Sequence, residues 1–176
     1  MPLLLHLDGL PGVGKTTLAR LWAQEHPGSL CLDIDLLRRS LGGWRDDKAS
    51  GRQARRLAYA VASQHLRDGF DVVVPQYAVR HEFVEELQSV AARAGADFRL
   101  VLVTADEDRT RFDARTAAAA EPQHVEAGEL VAATGYPAYR PLAELVAGVA
   151  GAAVLDTTSR TPQQSCADLV QALGGG

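Results

Sequence analysis

The sequence predicts an α/β fold, three layers deep (α/β/α), built on a five-stranded parallel sheet. Three observations lead there. Short apolar runs alternate along the chain with longer segments of helical periodicity, the order expected of crossover units. One of those runs, Val72-Val73-Val74, offers no polar residue to either side of its pleat, which suits a strand covered on both faces. At 176 residues the chain fits one domain, 1–176, long enough to bury a core without disulfides or a structural metal.

Leu3 to Leu7 is the first expected strand. It is short, with no basic segment before it and no small-residue cleavage site after it, which sets it apart from a leader peptide. Residues 15–25 carry Leu18, Leu21 and Trp22 at helical spacing. Residues 30–33 suit a second short strand, and Asp35 to Leu41 a short helix stopped by Gly42-Gly43. A longer helix is expected over 52–68, with Leu57, Val61 and Leu66 on its apolar side and Gly69 past its end. Asp71 to Pro75 is the third strand, 80–94 a helix, and Phe98 to Val103 the fourth strand. Asp106 to Arg115 reads as a charged helix with acids early and arginines late, in accord with the helix dipole. Ala117 to Gly128, small, polar and interrupted by Pro122, is expected as a mobile segment. Helical stretches follow at 129–133 and 139–148. Ala152 to Leu155 is the last strand, and Thr161 is placed to cap a final helix ending at Leu173.

Composition narrows the function classes. Net charge is −4, which counts against duplex nucleic acid as the main partner, since affinity there comes from Lys and Arg neutralising phosphates. No apolar run approaches the ~20 residues of a membrane-spanning helix. Cys31 and Cys166 lie far apart and match no metal or redox spacing. A cytoplasmic protein with reduced thiols is the expectation.

The chemistry is concentrated after the first strand. Gly9-Leu10-Pro11-Gly12-Val13-Gly14-Lys15-Thr16 matches G-x-x-x-x-G-K-[ST] at every fixed position, between an apolar strand and an amphipathic helix. Glycines let the backbone curl so that successive amides face a phosphate. The helix that starts near Lys15 adds its positive dipole end. In this pattern Lys15 meets the β- and γ-phosphates of a nucleotide and the Thr16 hydroxyl coordinates Mg²⁺, with Thr17 next in line. Lys15 is one of only two lysines among eighteen basic side chains, and it stands where the motif demands one.

Asp33-Ile34-Asp35 follows the second strand. Side chains two apart on a strand share a face, so both carboxylates are expected at the mouth of the sheet. One can hold Mg²⁺ through water while the other takes a proton from a substrate hydroxyl; Asp35 can also cap the short helix. No acid follows Val72 to Val74, where AAA-type and motor ATPases usually carry a second Mg²⁺ carboxylate, and no Asn-Lys-x-Asp guanine-reading motif occurs. Pro75-Gln76-Tyr77 sits at the carboxyl edge of a central strand, where open α/β sheets bind ligands. Gln76 is therefore either a substrate contact or an ordinary turn residue.

The order G-x-x-x-x-G-K-T, D-x-D-x-x-R, a valine-rich strand and an R-x-x-x-R helix before a small-residue segment resembles the P-loop kinases of small molecules. That group includes shikimate and gluconate kinases, chloramphenicol phosphotransferase, zeta-type toxins and the 5′-kinase domain of polynucleotide kinase. The resemblance spans nearly the whole chain and is carried most specifically by the P-loop. It implies a nucleoside-monophosphate-kinase-like P-loop NTPase fold with a short lid at about 116–128 and a substrate-binding segment at about 36–60. It also implies ATP and Mg²⁺ as cofactors and a small-molecule hydroxyl as acceptor. Asp35 becomes the hydroxyl-activating base, Asp33 a ligand to a Mg²⁺-bound water and Arg38 a substrate contact. Arg111 or Arg115 becomes the lid arginine over the transferring phosphoryl group, and Leu155 to Arg160 the loop that wraps adenine. Other expectations stay open: an ATP-binding regulatory or resistance module without transfer, and a polynucleotide 5′-hydroxyl kinase.

On the acceptor side the sequence gathers Arg38, Arg39, Arg45, Arg52, Arg55, Arg56 and Arg80. Arg52, Arg55 and Arg56 share one helix face, which is either an anion-binding wall or a solvated surface. Trp44 suits a packed loop or a stacking contact. His6 and His65 suit satisfied structural positions better than ligand sites.

Overall fold

The computed structural model describes residues 1–118 and 122–174, without the side chains of Arg115 and of residues 122–124, 126, 127 and 130. Five strands, β1 (Leu3–Asp8), β2 (Leu30–Cys31), β3 (Val72–Pro75), β4 (Asp97–Thr104) and β5 (Ala153–Asp156), pair in the order β2-β3-β1-β4-β5. Every pairing is parallel. The five-stranded α/β/α expectation stands. From β1 the chain moves to one side for β2 and β3 and to the other for β4 and β5. The carboxyl end of β1 therefore lies at a switch point, where an open sheet leaves a crevice for ligands.

Strand alternation builds two cores. Leu5, Leu7 and Val73 face helix α1 (Lys15–Glu25) and helix α8 (Pro162–Ala172) through Leu18, Trp22 and Leu169. Leu4, Val72 and Val74 face α3 (Ser50–Arg67) and α4 (His81–Ala94) through Ala58, Leu66, Phe83 and Leu87. The remaining helices are α2 (Ile34–Arg39), α5 (Asp108–Ala118), α6 (Pro122–Thr134) and α7 (Arg140–Ala147). His6 is wholly buried in β1, its Nε2 3.1 Å from the Gln76 carbonyl and its ring edge-on to Phe83. His65 bonds the Gly28 carbonyl at 2.7 Å. Both are structural histidines. No helix among the described residues is long and apolar enough to cross a membrane.

Three local expectations fail for identifiable reasons. The second strand stops at Cys31, because Asp33 accepts the amides of Asp35 and Leu36 at 3.0 and 3.3 Å and so caps α2. An N-cap that satisfies two orphan amides outcompetes two more residues of edge strand. On α3, Leu57 and Val61 are exposed at 45% and 40%. The buried stripe is Ala54, Ala58, Ala62 and Leu66, an i, i+4 series in which three of the four side chains are small. Hydrophobic size placed Leu66 correctly and pointed to the wrong face for Leu57 and Val61. Pro122 opens a helix rather than interrupting a loop, as a residue without a backbone donor can in a first turn. Of the segment 117–128, residues 119–121 lie outside the described residues.

The alanine stripe has a testable consequence. Ala58→Leu should destabilise by about 1–3 kcal/mol through overpacking, while Leu57→Ala should change stability by no more than about 0.5 kcal/mol. Urea melts of both variants check it. The reverse ranking would restore Leu57 to the core.

Candidate active site

The loop between β1 and α1 is shaped by contacts to its carbonyls. Lys15 Nζ donates to the carbonyls of Gly9 and Leu10 at 2.7 and 3.0 Å. Tyr136 donates its hydroxyl to the Pro11 carbonyl at 2.5 Å. Burial, together with the charge of Asp108, pushes the Tyr136 ionisation up, so that hydroxyl stays a donor. Thr157 Oγ1 lies 3.2 Å from the Val13 carbonyl and 2.9 Å from that of Thr104. Leu18 N takes the Gly14 carbonyl at 3.0 Å. With so many acceptors tied down, the amides of Gly12 and Gly14 hold no partner among the described residues. α1 has no side-chain cap, so its first amides also await an acceptor.

Glycine is required at two of these positions for different reasons. A Cβ on Gly12 would stand 2.1 Å from the Asp108 carbonyl oxygen, where the start of α5 packs on the loop. Gly14 has φ +99° with open space beside it, so it is needed for its backbone angle and leaves room in the cradle.

Asp8, which the sequence reading passed over, ends β1 beneath the loop. It is fully buried, and its Oδ1 accepts the amides of Gly9 at 2.7 Å and Ala78 at 3.0 Å. One carboxylate thus ties the phosphate loop to the segment after β3. Burial raises its pKa to about 6, against the opposing pull of those two amides and of Lys15. The available signal was a charged residue closing an apolar strand, but its partner Ala78 is 70 residues away.

Two cavities flank the loop. One of about 420 Å³ lies toward β4 and β5, lined by Gly12 to Gly14, Thr17, Arg111, Thr157 and Arg160. The expected adenine loop, 155–160, contributes Thr157 and Arg160 to it. The other, of about 990 Å³, lies on the β3 side between α2, α3 and the start of α4. Asp35, Arg38, Gln76 and Arg80, all named from the sequence, line it together, with Arg55, Arg56 and Tyr59 from α3. Arg38 is oriented by Ser50 Oγ at 2.9 Å and lies over the Trp44 ring at 5.2 Å, so Trp44 serves a packed loop.

The carboxylate pair is arranged otherwise than expected. Asp33 is the cap of α2 and Asp35 sits exposed in its first turn. Capping falls to Asp33, not Asp35. Asp33 lines neither cavity. Of the two lid candidates, Arg111 borders the 420 Å³ cavity, pairs with Glu107 at 3.1 Å and reaches the Thr157 carbonyl at 3.4 Å. The Arg115 side chain lies outside the described residues.

A nucleotide fits this geometry: uncapped amides, an ammonium and a cavity beyond them. For a divalent ion the donor set is sparse. The described residues hold no cluster of three or more His, Cys, Asp or Glu side chains. The Thr16 hydroxyl, half-buried in the first turn of α1, suits an ion that arrives with phosphates and keeps most of its waters, which is the habit of Mg²⁺.

A model of the AAA domain family matches residues 4–142. The chain belongs to that family. Its Pro75-Gln76 turn nevertheless carries no carboxylate after β3, so the family label gives the P-loop scaffold and leaves the chemistry to the site. Among solved structures the chain is similar to the Mycobacterium tuberculosis APS kinase CysC in complex with AMPPNP and APS, at 22% identity and TM-score 0.63, covering 98% of this chain and 97% of that one. It is similar to a sugar kinase from Janibacter at 14% identity and TM-score 0.60, covering 98% and 95%. A Deinococcus radiodurans tunicamycin resistance protein aligns at 15% identity and TM-score 0.55, covering 99% and 96%. A search of curated proteins found no match. At these identities the likenesses establish the fold alone, a parallel α/β/α sheet with its phosphate loop after the first strand.

Asp8 and His6 make opposite contributions to stability against pH. Asp8 holds its proton up to about pH 6 in the folded chain, against an ordinary value of 3.8, so its contribution falls as pH rises between the two. His6, held by burial at about 4 instead of 6.5, destabilises the fold as pH falls through that range. Asp8→Asn should therefore raise the melting temperature at pH 7.5, by up to about 3 kcal/mol in free energy, with the gain fading toward pH 4. Thermal melts across that range check it, and no gain at pH 7.5 would contradict it.

Proposed function

We propose that the protein is an ATP-dependent phosphotransferase that moves the γ-phosphoryl group to a hydroxyl of a small molecule. The observation that carries this reading is the pair of cavities on either side of the loop. One meets the loop's amides and Arg111; the other brings Asp35, Arg38, Gln76 and Arg80 together. The mycobacterial neighbour is in complex with two ligands, AMPPNP and APS, and a two-sided site accords with a donor and an acceptor bound at once.

In this reading the free amides of Gly12 and Gly14 and the first turn of α1 bind the phosphate chain. Lys15 exchanges its two loop carbonyls for phosphate oxygens. When bound with the nucleotide, Mg²⁺ neutralises phosphate charge; Thr16 would hold it directly and Asp33 through water. Asp35 orients the acceptor hydroxyl and takes its proton as the oxygen forms its bond to the γ-phosphorus and the β–γ bridging P–O bond breaks. Arg111 supplies positive charge beside the transferring group, with Arg115 as the other lid arginine on the same helix. Thr157 and Arg160 line the space for the base.

The test uses labelled ATP against a panel of sugars, nucleosides, shikimate-like acids and aminocyclitol antibiotics. At least one labelled product is expected. Lys15→Ala should weaken AMPPNP binding by about 10- to 100-fold through loss of charge-assisted hydrogen bonds. Asp35→Asn should leave AMPPNP affinity within about twofold yet lower turnover by roughly a hundredfold. ATP uptake with no product across the panel, or full turnover by Asp35→Asn, would overturn the assignment.

A further inference from the structure

We propose that the acceptor carries an anionic group (phosphate, sulfate or carboxylate) apart from its reacting hydroxyl, and that Arg55, Arg56 and Arg80 hold it. This deepens the phosphotransferase reading and rests on it. Four of the chain's arginines line the 990 Å³ cavity, although the chain as a whole has a net charge of −4. Elsewhere Arg93, Arg109, Arg111, Arg140 and Arg160 each hold a carboxylate. The guanidinium groups of Arg55, Arg56 and Arg80 enter no ion pair with a described residue.

The cavity's own acids do not cancel that charge. Glu86 is taken by Arg93 at 3.2 Å, Asp35 is assigned to the hydroxyl, and Glu82 alone remains against three guanidinium groups. Like charges gathered around one space repel unless an anion comes between them. The planar fork of each arginine matches the paired oxygens of phosphate or carboxylate.

A solvated stripe on α3 is the competing account, and the geometry disfavours it. Arg52 stands one turn before Arg56 on that stripe, yet it is left out while Arg55 and Arg56 line the cavity together with Tyr59 and Arg80. The cavity also asks for a donor. Gln76 lines it, and its buried Oε1 has no partner among the described residues; a hydroxyl on the acceptor would supply one.

The experiment first fills the P-loop with Mg·AMPPNP, then titrates inorganic pyrophosphate, and sulfate separately, by calorimetry at low salt. The loaded protein should bind the second anion, and the Arg55→Glu/Arg56→Glu variant should bind it at least about tenfold more weakly while still taking up AMPPNP, which reports an intact fold. In parallel, labelled ATP is offered to matched pairs: ribose and ribose 5-phosphate, adenosine and AMP, glycerol and glycerate. Label is expected on anionic members only. Absence of a second anion site in the loaded wild type, equal anion binding by the variant, or preferred labelling of a neutral member overturns this inference while leaving the phosphotransferase reading intact. Failure to bind AMPPNP at all removes that reading, and this one with it.

Discussion

The site depends on how the carbonyls between Gly9 and Gly14 are occupied. A polypeptide loop presents acceptors and donors in equal number, and an anion is bound only if the acceptors are turned away. Here Lys15, Tyr136, Thr157 and the α1 amide of Leu18 take them one after another. What remains are amides at the positive end of an eleven-residue helix. The motif's glycines make the curl possible; residues from the far half of the chain keep it in place.

The same restraints connect the loop to both cavities. Thr157 joins Val13 to the ends of β4 and β5, on the side where Arg111 and Arg160 border the smaller space. Asp8 joins Gly9 to Ala78, on the side where Gln76 and Arg80 border the larger one. Burying a carboxylate disfavours its charged form, and Asp8 shows that in its raised pKa. Two backbone bonds in return tie Ala78, in the wall of the larger cavity, to Gly9 at the start of the phosphate loop.

Much of this was legible in the sequence because it is local. Gly9 to Thr16 spell their own geometry, the valine run announces a strand buried on both faces, and Thr161 caps α8 through a capping box with Gln164. Asp35, Gln76 and Arg80 could be named because each follows a strand end that opens on the crevice, and Arg38 through the resemblance to small-molecule P-loop kinases. What the sequence concealed is non-local. Tyr136 and Thr157 reach the loop from 125 and 144 residues away, and no spacing rule connects them. That Asp33 and not Asp35 caps α2 turned on where a short helix begins. The α3 face turned on packing size, which favours alanine over leucine where a helix must lie close to its neighbours.

The central claim is that loop amides, freed by occupied carbonyls, are what a nucleotide meets. A backbone ¹⁵N–¹H NMR titration with Mg·AMPPNP tests it most directly. The account predicts that the largest downfield amide shifts fall on Gly12, Gly14, Lys15 and Thr16, with smaller changes at Thr157 and Arg160. Shifts concentrated elsewhere in the chain, with those four amides unmoved at saturation, would contradict it.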